Sequence, residues 1–208
     1  EGLIPVEMLY FSQGLTDNLT MEAFYQLKWA PTVLDNCGTF FGSDTVAKGC
    51  NDRLVVFGAD QPSGSPALGT GGFGQPALAD YIVRAEKDRD ASDDGQFGVA
   101  FRYYAAALND TEFGFYAMNY HSRTPSYSNI AGGPLQGGAP VIGLDGAVGQ
   151  AGYFFDYPED IRLYGVSFQT MVGPASVSGE VSYRPNMPMN LNTGDMSRTA
   201  LLGSSGAP

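Results

Sequence analysis

The chain carries one histidine, His121, and a serine follows it directly at Ser122. Serine hydrolysis needs a base held by a third group and an oxyanion hole, and neighbours along a strand point to opposite faces. The pair therefore reads as two rim side chains rather than a catalytic dyad, and no enzyme activity is expected. Glu86, Asp88, Asp90, Asp93 and Asp94, followed by Gly95, place five carboxylates within nine residues. That is enough oxygen to hold Ca²⁺ if the loop closes round it. The spacing departs from the EF-hand pattern and lacks its closing glutamate, so a solvated acidic rim competes with a calcium site.

Cys37 and Cys50 stand thirteen apart in a stretch rich in Gly, Asp and Asn. Without a CxxC motif or a second histidine they have no partners for a zinc site. A loop-closing disulfide in an oxidising compartment is the expectation. The glycines at 69, 71, 72 and 74 lack the strand-then-helix setting of a phosphate cradle, so they read as loop punctuation and no cofactor other than calcium is foreseen.

The elements that would position these residues are strands. Among 208 residues there are 28 Gly, 13 Pro, 12 Tyr and 13 Phe, with only 16% charged. Short aromatic strands joined by turns use all of these types, whereas helices tolerate few of the glycines and prolines. A net charge of −11 repels phosphates, so nucleic acid is set aside as a partner. No apolar run reaches the ~18 residues of a membrane helix, so a bilayer would be crossed by strands. The opening residues lack a basic start and an apolar stretch, and the expectation is that a leader was removed or that the chain continues upstream.

From Leu19 to Trp29, Leu19, Met21, Ala23, Tyr25, Leu27 and Trp29 alternate with Thr20, Glu22, Phe24, Gln26 and Lys28. Period two predicts a strand with one greasy side. Val6–Leu15 precedes it across Thr16-Asp17-Asn18, which makes a tight hairpin. A second hairpin is expected from Gln96–Leu108, Asn109-Asp110-Thr111 and Glu112–Tyr120. A third joins Ile161–Val172 through Gly173-Pro174 to Ala175–Arg184. Arg53–Gly58 and Asp80–Arg84 are candidate short strands inside long connections at 31–95 and 121–160.

Strands of ~9–11 residues with short turns at one end and long loops at the other suit a transmembrane barrel. The fold expected is thus all-β, an antiparallel transmembrane β-barrel segment over residues 1–208 with at least six strands as three hairpins. A β-sandwich is the competing reading. On the barrel reading Glu22, Gln26, Lys28, Arg102, Glu180 and Arg184 face the lumen. Tyr25, Trp29, Tyr103, Tyr116, Tyr120, Tyr153, Phe154 and Tyr157 form interfacial girdles.

Specific segments also resemble a known family. These are Leu15-Thr16-Asp17-Asn18-Leu19, Glu22-Ala23-Phe24-Tyr25-Gln26, Asp94-Gly95-Gln96-Phe97-Gly98, Tyr157-Pro158-Glu159-Asp160-Ile161, Tyr164-Gly165-Val166-Ser167-Phe168 and Ser178 to Asn186 with its SYRPN end. Together they resemble the long Pseudomonas-type outer-membrane proteins catalogued as a domain of unknown function, from about Pro5 to Asn192. The resemblance implies an outer-membrane location, contact with outer-membrane lipid, and a fragment of a larger barrel. It further implies transport or transfer of hydrophobic compounds or lipids, with a periplasmic lipid carrier as partner, and it brings no catalytic residues. Two other functions stay open: a non-transporting surface protein that binds a partner or ion through its loops, and a secreted soluble β-sandwich binding module.

Overall fold

In a computed structural model, residues 5–42, 45–47, 53–57, 80–84, 87–130 and 152–202 are described. Alternation yields strands where it is strongest: β1 (Met8–Thr16), β2 (Leu19–Gln26), β5 (Phe97–Ala105), β6 (Thr111–Tyr120), β9 (Ile161–Val172) and β10 (Ala175–Tyr183). Shorter strands lie between them: β3 (Arg53–Phe57), β4 (Asp80–Arg84), β7 (Ser126–Ile130) and β8 (Gly152–Asp156). Among the described residues the fold is all-β apart from one 3-10 turn and the helix α1 (Thr193–Leu202).

The long strands form one six-stranded sheet in the order β1-β2-β5-β6-β9-β10, each antiparallel to its neighbours. This is a meander, interrupted after β2 and after β6. Its hairpins close with suitable turn residues. Asn109 and Asp110 adopt φ of 52° and 55°, a left-handed conformation that Asn and Asp tolerate better than other side chains. Gly173 supplies φ of 59° between β9 and β10.

Two strand ends differ from the alternation pattern. β5 stops at Ala105, and Ala106–Leu108 wind into a 3-10 turn so that the chain can enter the left-handed Asn109 and Asp110. β2 stops at Gln26 instead of Trp29. The Gln26 amide donates to the Lys28 carbonyl at 2.7 Å and the Asp93 carboxylate accepts from the Trp29 backbone N–H at 2.9 Å, which draws the backbone out of the ladder.

The chain divides into two compact units. One comprises Glu1–Pro31, Asp90–Thr124 and Tyr157–Met189, and holds the six-stranded sheet. Its buried apolar cluster is Trp29, Ala91 and Tyr157, whereas every residue of β1 is exposed. The sheet itself has little core.

The other unit comprises Thr32–Arg89, Pro125–Asp156 and Asn190–Pro208. It holds a four-stranded sheet, β3-β4-β8-β7, in which only the β4–β8 pair is parallel. The stretches at 31–95 and 121–160 therefore contain paired strands, and Arg53–Phe57 and Asp80–Arg84 are two of them. Tyr153, Phe155 and Ala200 form the buried cluster, with Val46, Leu54 and Tyr127 against it. Helix α1 starts where the Asn192 side chain accepts the Gly194 backbone N–H at 2.9 Å, an N-cap of the expected residue type.

A hydroxyl chain links α1 to β7. The Asn129 amide donates to the Tyr127 hydroxyl at 3.0 Å, Tyr127 meets Ser197 at 2.8 Å, and Ser197 donates to the Thr193 carbonyl at 2.7 Å. Burial lifts the Tyr127 phenol above the ordinary range, and its bonds to Ser197 and Asn129 pull it only partly back. A raised folded-state value means that this group's contribution is fully present below the ordinary phenol value and is lost as pH rises through the raised one. Alkaline titration is thus expected to loosen this unit, with tyrosinate absorbance rising together with loss of near-ultraviolet circular dichroism. Tyr127→Phe should remove that alkaline component while costing about 1 kcal/mol at neutral pH for the lost hydrogen bond.

Candidate functional site

Residues directly opposite one another in an antiparallel ladder share a face, so the pairings sort the six-stranded sheet into two sides. On one side Leu9, Ala23, Val99, Phe101, Phe115, Val166 and Val181 run across the strands, with Tyr25, Phe97, Tyr103, Phe113, Tyr164 and Phe168 toward the ends. Ser12, Thr20, Glu22, Arg102, Glu112, Ser167, Gln169, Ser178, Glu180 and Ser182 occupy the other. Alternation within each strand is thus kept in register across all of them.

The polar side contains a hollow of about 430 Å³ whose lining includes Glu112, Gly114, Tyr116, Ser167, Ser178 and Glu180. Glycine creates it. A Cβ at Gly114 would collide with the Tyr116 phenol and lie 2.5 Å from the Ser167 hydroxyl, which are themselves 3.1 Å apart. Beside it Arg102 pairs with Glu22 at 3.0 Å, with the two side chains 45% and 28% exposed. A pair so accessible contributes at most about 1 kcal/mol.

At the end of the sheet away from the short turns, polar groups interlock. His121 is 3% exposed. Its Nδ1 accepts the Asp160 backbone N–H at 3.0 Å, and its Nε2 lies 2.8 Å from the Asp94 carbonyl, which fixes the Nε2–H tautomer. Asp160 holds φ of 56°. Its carboxylate accepts from the Asn119 amide at 2.8 Å, and its carbonyl accepts from the Asn186 amide at 2.7 Å. The Asn119 amide also donates to the Gly95 carbonyl at 2.9 Å, and Gln96 Oε1 accepts the His121 backbone N–H at 3.2 Å. Trp29 donates its indole N–H to the Ser122 carbonyl at 3.1 Å and packs edge-on to Tyr157, ring centres 4.8 Å apart.

The segments Asp94 to Gly98, Tyr157 to Ile161 and Ser182 to Asn186 therefore meet in one network. Residues 1–208 match a family model described as "Protein of unknown function (DUF1302)". The chain belongs to the DUF1302 family. Among the curated proteins and among the solved structures compared with it, none matches.

In this DUF1302 chain His121 cannot act as a base toward Ser122. Its Nδ1 already accepts a backbone N–H, while the Ser122 hydroxyl donates to the Thr124 carbonyl at 2.8 Å. The hydroxyl near His121 is that of Ser92, 3.3 Å from Nε2, and this nitrogen carries the proton that the Asp94 carbonyl takes.

The acidic run is dispersed. Asp88 pairs with Arg84 at 2.7 Å and accepts the Phe155 backbone N–H at 3.1 Å. Asp93 accepts from Trp29, and Asp94 offers its backbone carbonyl to His121. Glu86 lies outside the described residues, and Asp90 is exposed. Among the described residues no group of three or more His, Cys, Asp or Glu could hold a metal ion. Cys37 is described and is not a free thiol, whereas Cys50 lies outside the described residues.

Of the residues expected in a lumen, Glu22, Gln26, Arg102 and Glu180 share the polar face of the DUF1302 sheet, and Lys28 and Arg184 follow just beyond β2 and β10. The aromatics expected as girdles scatter. Tyr25 and Tyr103 stand on the apolar face, 40% and 44% exposed, while Tyr116 and Tyr120 lie on the opposite one. Trp29 and Tyr157 are buried, at 7% and 9% exposure, because each packs on the other. Tyr153 and Phe154 are also buried, since β8 is a central strand of the smaller sheet and Arg89 covers the Phe154 ring at 4.5 Å.

The alternation of Glu112, Gly114 and Tyr116 with Phe113 and Phe115 is the signal that could have pointed to the hollow. Nothing in local pattern marks Asn119, Asp160 and Asn186 as partners.

Proposed function

We propose that this chain forms part of the wall of an outer-membrane β-barrel that passes or hands over hydrophobic compounds or lipids, held together at its loop side by a disulfide between Cys37 and Cys50. The observation that carries the reading is the exposure of the apolar face: Leu9 63%, Phe97 49%, Phe115 48%, Val166 49% and Val181 69%. A water-soluble sandwich would cover such side chains with a second sheet. An uncovered apolar surface of this extent is rare on soluble monomers. The strands support the same reading in length, at 8 to 12 residues. From Phe97 to Ala105 the apolar side spans about 27 Å, close to the ~25 Å band of outer-membrane barrels. Below it, the polar face would look into the lumen.

The test has two stages. Folded protein mixed with phospholipid vesicles is expected to float with them after a carbonate wash and to migrate faster in detergent gels before boiling than after. Protein left in the supernatant would sink the wall assignment. Cells carrying the gene should then take up a labelled apolar compound faster than cells without it, and equal uptake removes transport while leaving the wall intact.

A further inference from the structure

The polar face is not uniform along the strands. Near the short turns it carries Glu112, Gln169 and Ser178 in one row, and Arg102, Gly114, Ser167 and Glu180 in the next. Two steps further along, toward the network around His121, the row that crosses five strands reads Tyr10, Phe24, Gly98, Met118 and Leu163. The Phe24 ring lies over the Cα of Gly98, so a Cβ there would collide with it. An apolar band therefore crosses the otherwise polar side, about 14 Å along the strand from the hollow.

The hollow is framed by Glu112 and Glu180. The cations that the described residues place in ion pairs are Arg84, with Asp88, and Arg102, with Glu22. Neither Glu112 nor Glu180 shares in these pairs, and the groups between them, the Ser167 and Ser178 hydroxyls and the Tyr116 phenol, both donate and accept. Two carboxylates and three hydroxyls beside a depression of about 430 Å³ favour a small head that is positively charged and rich in N–H donors. A carboxylate or phosphate head would be repelled.

We propose that this face binds an amphiphile with a primary-ammonium head, the head in the hollow between Glu112 and Glu180 and the aliphatic tail along Phe24, Met118 and Leu163. The proposal rests on the reading of this face as the lumen of a transfer barrel, and it names the class of molecule that reading leaves open.

Dodecylammonium and dodecanoate share a tail and differ in head charge, so they serve as probes. With the protein folded in phosphocholine vesicles, dodecylammonium is expected to bind at least about tenfold more tightly than dodecanoate, the scale of a charge-assisted hydrogen bond. Because the whole chain is acidic, the decisive comparison is among variants. Glu112→Gln with Glu180→Gln should abolish the preference, whereas Asp17→Asn, in a short turn, should leave it unchanged. Phe24→Ala should weaken both probes alike. A preference that survives the double substitution, or that falls equally with Asp17→Asn, overturns the proposal. Each variant is first checked for its heat-dependent gel shift. Loss of that shift in the unmodified protein counts against the wall assignment itself, while a retained shift without head discrimination counts against the ligand alone.

Discussion

Arginine in place of Phe101 is expected to destabilise the protein in lipid vesicles by about 2–4 kcal/mol, the cost of a cationic side chain at the mid-plane of a barrel's outer surface. Phe101 sits in the central row of the apolar face with Met21, Phe115, Val166 and Val181. The matching substitution on the other side, Ser167→Arg, places its charge beside Glu180 and should change stability by less than about 1 kcal/mol. Urea titration of vesicle-inserted protein measures both. The contrast is the point, because a face turned to water would accept the arginine at Phe101 as readily as at Ser167. Equal costs would remove the hydrocarbon-facing orientation.

A second large effect is expected at Trp29. Its ring is 7% exposed and packs on Tyr157, and its indole N–H is bonded to the Ser122 carbonyl. Trp29→Ala should cost about 3–5 kcal/mol, the range for removing a buried large aromatic. Trp29→Phe keeps most of the ring contact and gives up the hydrogen bond, for about 1 kcal/mol beyond the lost volume. As Trp29 is the only tryptophan in the chain, unfolding of the variants is followed by circular dichroism and by proteolytic nicking around residue 30. A loss under about 1 kcal/mol for the alanine variant would mean that the cluster does not secure this end of the sheet.

Strand existence was legible because period two is a local property. Leu19 to Gln26, Ile161 to Val172 and Ala175 to Tyr183 alternate without help from distant residues, and the turns Thr16-Asp17-Asn18 and Gly173-Pro174 supply their own conformations. Arg53 to Phe57 and Asp80 to Arg84, short apolar runs without alternation, were candidate strands only. What pairs with them was not legible. The parallel contact of β4 with β8 joins Val83 to Gly152, and no pattern within either segment specifies the other.

Aromatic residues misled for a related reason: the burial of Tyr153 and Phe154 depends on a sheet assembled from separate segments, whereas hydropathy shows only that they are apolar. The acidic run was readable as charge, but not as the separate contacts that Asp88 makes with Arg84 and Phe155 and that Asp93 makes with Trp29. His121 was placed at a rim by sequence. Its tautomer depends on the backbone of Asp160, 39 positions away.

The meander begins with β1 and finishes with β10, and successive strands reverse direction throughout. These two outermost ribbons consequently run oppositely, and neither has a strand partner on its far side among the described residues. In the proposed barrel, further strands would stand between these two edges. An even number of these keeps every neighbouring pair antiparallel, whereas one or three would force a parallel pair into the wall.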